Sequence, residues 1–262
     1  MMKKEITFLL HLWRANLIAA MEFRVAFLSQ VIGMMLNNAL YFLFWIIFFD
    51  RFQNVRGWGL NEMFILFGIV AVGYGAGVFL FGNVMQLADV IATGKLDYYL
   101  SLPRPVLLHV LASRSLSSGL GDFTYGILSL LVAGVASPDA IARIILGAIF
   151  SMIVFLAFMT LINSLGFWMG NATMLAFQAG NAMLTFALYP ITLFDGTGKF
   201  ILFTIIPAAF MGAVPAELIR AFDWFTLAQL FFAALVLLAL ALFVFRRGLR
   251  RYESGSAIQI QS

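Results

Sequence analysis

The sequence predicts an all-α integral membrane protein: six transmembrane helices, an N-terminal interfacial amphipathic helix, and a re-entrant outer segment before the last helix. Three observations predict it. The first is composition: 63% of the 262 residues are hydrophobic, 11% are charged, and mean hydropathy is +1.00. Soluble domains carry about 25% charged residues because their surface faces water, so 16 basic and 12 acidic side chains cannot coat a globule of this length. The second is run length, since crossing about 30 Å of hydrocarbon takes about 20 helical residues. The third is the placement of Lys and Arg beside the apolar runs, which is topology rather than a nucleic-acid stripe. Cysteine is absent, and His11 and His109 are the two histidines, which excludes thiolate chemistry, disulfides and a histidine-rich metal site.

Residues 1–24 lack the small-residue cleavage site of a signal peptide. Wound as a helix, Ile6, Leu9, Leu10, Trp13, Leu17 and Ala20 share a face, and Lys4, Thr7, His11, Arg14 and Glu22 lie opposite. Such a basic amphipathic helix lies in the membrane interface; a straight extension of the first span is the other possibility. The spans follow at Val25–Phe49, Asn61–Gly82, Val106–Gly134, Ile141–Met169, Thr173–Leu193 and Phe225–Phe245. They are too long for strands and lack the alternation of a barrel. Phe200–Val214 reaches only about 22 Å and contains Pro207, so it reads as a re-entrant or interfacial segment, part of an outer segment over 200–223. Six spans place eleven basic residues on the inner side and five on the outer (Arg51, Arg56, Arg143, Lys199 and Arg220). A seventh span would move Arg246, Arg247, Arg250 and Arg251 outside, against the positive-inside rule. Both termini are therefore expected in the cytoplasm, with a single transmembrane domain over 1–262 and a loose polar tail, Glu253–Ser262.

The densest information is the inside loop 83–105. Val84, Leu87 and Ile91 recur at helical spacing with Gln86, Asp89 and Thr93 on other faces, and Gly94 sits where a helix C-cap wants a left-handed residue. Leu96, Tyr99, Leu100 and Leu102 form a second short amphipathic turn, and Pro103-Arg104-Pro105 stops it. The loop reads either as a surface hairpin joining two spans or as a docking element for a cytosolic partner. Ile91-x-x-Gly94-Lys95-Leu96-Asp97-x-x-Leu100-x-x-Pro103, between the second and third spans, resembles the ABC-2 type transporter permeases. The resemblance runs along the whole chain and includes the outer region with Pro190, Asp195, Pro207, Pro215 and Ala216; the basic residue that many members carry before the glycine turn is replaced by Ala92-Thr93.

The resemblance implies the permease subunit of an ATP-driven exporter in the inner membrane. It would work with two ATP-binding cassette subunits and a second permease copy or paralogue, and move an amphipathic or hydrophobic drug, lipid, peptide or glycan. It implies that Gln86, Leu87, Asp89, Val90, Ile91, Gly94, Lys95, Leu96 and Asp97 dock the ATPase as a coupling loop, and that residues 1–24 are a connecting helix. This chain itself is expected to bind no cofactor, with ATP and Mg held by the partner. It has no G-x-x-x-x-G-K-[ST] loop, since Thr93-Gly94-Lys95-Leu96 lacks the first glycine and the final Ser/Thr.

Within the spans, Asp122 is the clearest carboxylate; it lines the pathway against a cationic or hydroxylated substrate, makes a structural hydrogen bond to a neighbouring helix, or sits nearer the outer interface if the span starts late. Arg114 is eight residues off, about 12 Å along a helix, too far to pair with it. Asn37, Asn38, Asn163, Gln178 and Asn181 are candidates for interhelical bonds or pathway lining. Gly73 and Gly77 form a G-x-x-x-G packing pair, within the subunit or across a dimer seam. Glu217, Arg220 and Asp223 read as a solvated outer face, with a gate as the second reading, and His109 has no second metal ligand near it. An ion-coupled secondary carrier or channel is the alternative, but it would want several intramembrane charges. A membrane enzyme acting on lipid would need clustered acid, base or metal ligands, which scattered carboxylates do not provide.

Overall fold

The computed structural model describes residues 2–252, with side chains from Lys4 onward; the expected loose tail, Glu253–Ser262, lies outside the described residues. The chain is helical throughout, with no strand among the described residues beyond one isolated bridge, Val55–Trp58. In order the helices are α1 (Met2–Met21), α2 (Arg24–Arg51) and α3 (Leu60–Phe81), then, after a 3-10 turn at Gly82–Gln86, α4 (Leu87–Ala92), α5 (Leu96–Leu100) and α6 (Val106–Ala112). α7 (Ser118–Val132), α8 (Pro138–Ser164), α9 (Gly166–Met169) and α10 (Thr173–Ala187) follow. A second 3-10 turn, Ile191–Leu193, leads to α11 (Thr197–Thr204), α12 (Ala208–Met211), α13 (Ala213–Arg220) and α14 (Trp224–Leu249).

α3 is the centre of the bundle. Of its most apolar stretch 67% is buried, against 11% for α2 and 17% for α14, which form the periphery. Glycines let the neighbours close on it. A Cβ at Gly75 would lie 2.5 Å from the Gly119 carbonyl oxygen, and one at Gly68 would lie 3.0 Å from that of Gly126, so two pairs spaced seven residues apart seat α7 on α3. Gly73 faces Ser151 and Gly77 faces Met152 and Phe155, so this pair packs α3 on α8 inside the subunit. Small residues at a helix seam allow close backbone approach, which is the main source of helix adhesion in lipid.

Four helical stretches are long and apolar enough to cross a bilayer, and a fifth counts if the segments Thr197–Thr204 and Ala208–Arg220, bent by 62°, are one pass. Two of the expected spans depart from the sequence reading. Val106–Gly134 is not one helix: it breaks over 113–117 into α6 and the 15-residue α7. The cause is local polarity. Ser113 Oγ turns back to the Val110 carbonyl (2.7 Å), the Leu116 N–H leaves its own helix for the Val78 carbonyl (3.1 Å), and Arg114 reaches out to Gln86. Thr173–Leu193 is helical only to Ala187, because Pro190 cannot donate to a continuing helix and opens the following turn. Both 15-residue helices reach only about 22 Å.

Candidate docking loop and membrane cleft

The loop between α3 and α6 is fastened to the bundle by the apolar side of α4 and by Leu96 of α5. Leu87, Ala88, Val90, Ile91 and Leu96 are buried, whereas Gln86, Lys95, Tyr98 and Leu100 are exposed and Asp89 is half-exposed. The helix, glycine break and second short helix of the sequence reading are present, and Gly94 has the positive φ, 75°, that its position requires. Asn163, near the end of α8, does the fastening: its Oδ1 accepts from the Ala88 N–H (3.0 Å) in the first turn of α4, while its Nδ2 donates to the Met159 carbonyl (2.7 Å). Asn83 donates to the Val110 carbonyl and to Ser113 Oγ, both at 3.0 Å, so it satisfies groups freed where α6 ends. On the exposed side, Gln86 accepts from Arg114 (2.6 Å), and Lys95 pairs with Asp89 (3.2 Å). Asp97 lies against the Tyr252 hydroxyl, which burial and the neighbouring carboxylate push up to about 12, so the chain beyond α14 closes over α5.

α1 folds back along the same end. Trp13 donates to the Leu80 carbonyl (2.7 Å) and Asn16 to that of Ala112 (3.1 Å). Arg104 pairs with Glu5 and sits 4.4 Å over the Phe8 ring. A coaxial extension of α2 would carry Trp13 about 16 Å past Arg24 and out of reach of α3. Ile6, Leu10, Ile18 and Met21 remain exposed along α1. His109 is held between the Phe8 and Tyr99 rings, at 5.0 and 5.2 Å, a packing position.

The amides of the apolar helices divide into two groups. Asn163 belongs to the loop. Asn37 and Asn38 from α2, Asp122 from α7 and Asn181 from α10 meet, with Tyr74 from α3, around a cleft of 740 Å³. Asp122 is 4% exposed, and its Oδ1 accepts from Asn38 Nδ2 at 2.7 Å. Asn37 and Asn181 are exposed on the rim, and Gln178, one turn before Asn181 on α10, is exposed outside the cleft. Aromatic rings of Phe44, Trp45, Phe67 and Tyr189 complete the wall.

Against known families, the profile described as "ABC-2 family transporter protein" matches residues 35–256, taking in both the loop and the cleft. The chain belongs to the ABC-2 transporter family. Neither a curated protein nor a solved structure matches it. This ABC-2 protein is accordingly a multi-pass membrane protein of a transport system.

At the end opposite the loop, the charges of the ABC-2 protein are tied to one another while remaining partly open to solvent, as the reading of Glu217 and Arg220 as a solvated face expects. Arg220 bonds Glu217 (2.8 Å) and the Gly57 carbonyl (3.0 Å) and lies 4.9 Å over the Trp58 ring. Arg143 holds the Ile219 carbonyl (2.8 Å), and Arg56 pairs with Asp195 (3.0 Å). Asp223 caps α14 through the Thr226 N–H (2.9 Å), a bond that holds its carboxyl below the usual range. Sequence reasoning missed Asn16, Asn83, Ser113 and the Gly68/Gly75 and Gly119/Gly126 pairs. The equal seven-residue spacing of both glycine pairs was the available signal for the last. Among the described residues no group of His, Asp and Glu could hold a metal ion.

Proposed function

We propose that this ABC-2 protein is the permease subunit of an ABC exporter, with ATP hydrolysed by two copies of a separate subunit. Its passes are α2, α3, the broken pair α6–α7, α8 with α9, α10, and α14; α1 lies in the inner interface and α11–α13 form a re-entrant cap on the outer side. The observation that carries the reading is the loop 83–105. It combines the family's glycine-turn motif with a rigid, polar, outward face of Gln86, Asp89 and Lys95 on an apolar base. Nucleotide-driven closure of the partner would press on that face. Asn163 passes the displacement to α8, and α8 packs on α3 and α14.

The pathway is the cleft between α2, α3, α7 and α10, closed in the working assembly by a second permease copy or paralogue. Exposed amides at bilayer depth, Asn37 on α2 and Gln178 and Asn181 on α10, support that placement because lipid satisfies none of their hydrogen bonds. The substrate is an amphipathic or hydrophobic molecule, and the site is the inner membrane with both termini cytoplasmic. The test is purification of the tagged full chain from its native membrane, followed by identification of bound proteins. A subunit with an ATP-binding cassette recovered with the unaltered chain and lost with Lys95→Glu is the expected result. Its absence after gentle extraction would overturn the reading.

A further inference from the structure

We propose that the cleft is a binding site for an amphipathic organic cation, with Asp122 as its counter-charge. This deepens, and rests on, the reading of the cleft as the transport pathway. Asp122 Oδ1 is occupied by Asn38, but Oδ2 is buried and has no hydrogen-bond partner among the described residues. A carboxylate at this depth costs several kcal/mol unless a partner of opposite charge offsets it. No lysine or arginine is among the residues lining the cleft, and the nearest basic residue on the same stretch of chain, Arg114, is taken by Gln86. The missing partner is therefore supplied from outside the chain.

The surroundings select its chemistry. Phe44, Trp45, Phe67, Tyr74 and Tyr189 line the cleft, and aromatic walls attract desolvated cations. Its 740 Å³ falls in the range of small-molecule sites rather than of a single inorganic ion. An anionic ligand would meet the Asp122 charge head-on, and a neutral hydrophobe would leave Oδ2 unpaired. A delocalised cation with apolar flanks satisfies both the carboxylate and the rings. Asn37 and Asn181 on the rim hold polar appendages of such a molecule.

The experiment measures equilibrium binding of radiolabelled tetraphenylphosphonium to the full chain in nanodiscs, corrected for empty nanodiscs, beside its anionic twin of the same shape, tetraphenylborate. The expected result is saturable binding of the cation alone, weakened at least about tenfold by Asp122→Asn, a loss of roughly 1.4 kcal/mol. The double variant Asp122→Asn with Asn38→Asp moves the carboxylate across the same hydrogen bond and restores binding, which a merely misfolded variant would not do. Absent saturable binding, equal binding of the anion, or an unchanged affinity in Asp122→Asn would each overturn the proposal. ATPase recovery is read on the same preparations. Recovery without cation binding sinks this proposal and leaves the permease reading standing, whereas cation binding without an ATPase does the reverse.

Discussion

Asn163 and Asn38 are the same residue type in apolar helices, the first buried and the second half-buried, and they do different work. Asn163 holds the first turn of α4, and Asn38 holds Asp122. Sequence showed both as polar interruptions of apolar runs. It could not separate them, because the distinction depends on a partner 75 residues away for Asn163 and 84 for Asn38. Asn163→Leu leaves the buried Ala88 N–H unpaired, so the chain should lose about 1–3 kcal/mol of stability in a thermal melt in detergent. Substrate binding in the cleft should be unaffected. Gly75→Leu is the steric counterpart: a Cβ there already meets the Gly119 carbonyl and the Phe123 N–H at 2.5 Å. That variant should express poorly and melt early, as an overpacked seam does.

For single elements, helix and turn chemistry was legible and helix continuity was not. The α4–Gly94–α5 pattern followed from spacing and from one residue that tolerates positive φ. The break between α6 and α7 did not, because the serines of Ser113-Arg114-Ser115-Leu116-Ser117 are tolerated inside apolar helices until Asn83, Asn16 and Val78 are in place to bond the polar groups of this stretch. The expected docking set mixes polar and apolar positions of the loop; Leu87 and Ile91 within it face the bundle, so Leu87→Asp and Ile91→Asp should abolish folding, seen as loss of the monodisperse detergent peak, because each buries an unpaired charge. Lys95→Glu on the exposed side should leave that peak intact and uncouple the ATPase. The Asp223 cap gives α14 a pH signature. Its carboxyl is held below the ordinary value of 3.8, so its contribution is complete above that value and fades as pH falls toward the folded one. Hydrogen exchange at the first turn of α14 should accelerate in that acidic window, and Asp223→Asn should remove the dependence.

Across the whole molecule, charge is distributed by end. Among the described residues, eleven basic and four acidic residues lie toward the loop end, against five basic and six acidic toward the other. At that second end, Arg56, Arg143 and Arg220 are each paired with a carboxylate. The net positive end is the one expected in the cytoplasm. The chain contains no cysteine, so single-cysteine variants report sidedness without background: Lys199→Cys should react with an impermeant maleimide on intact cells, and Arg247→Cys only after permeabilisation. The expected orientation was readable in the sequence as an expectation, because it depends on counting charges, and this labelling tests it. The cleft was not, since it needs four helices that are distant in sequence to converge.

The central claim, that the loop's polar face receives an ATP-driven partner, is tested most directly by placing a photo-crosslinking amino acid at Gln86 or at Leu87 in native membranes. The account predicts an adduct to a subunit with an ATP-binding cassette from Gln86, strengthened or weakened by nucleotide, and none from the buried Leu87. No adduct from Gln86, or equal adducts from both positions, would contradict it.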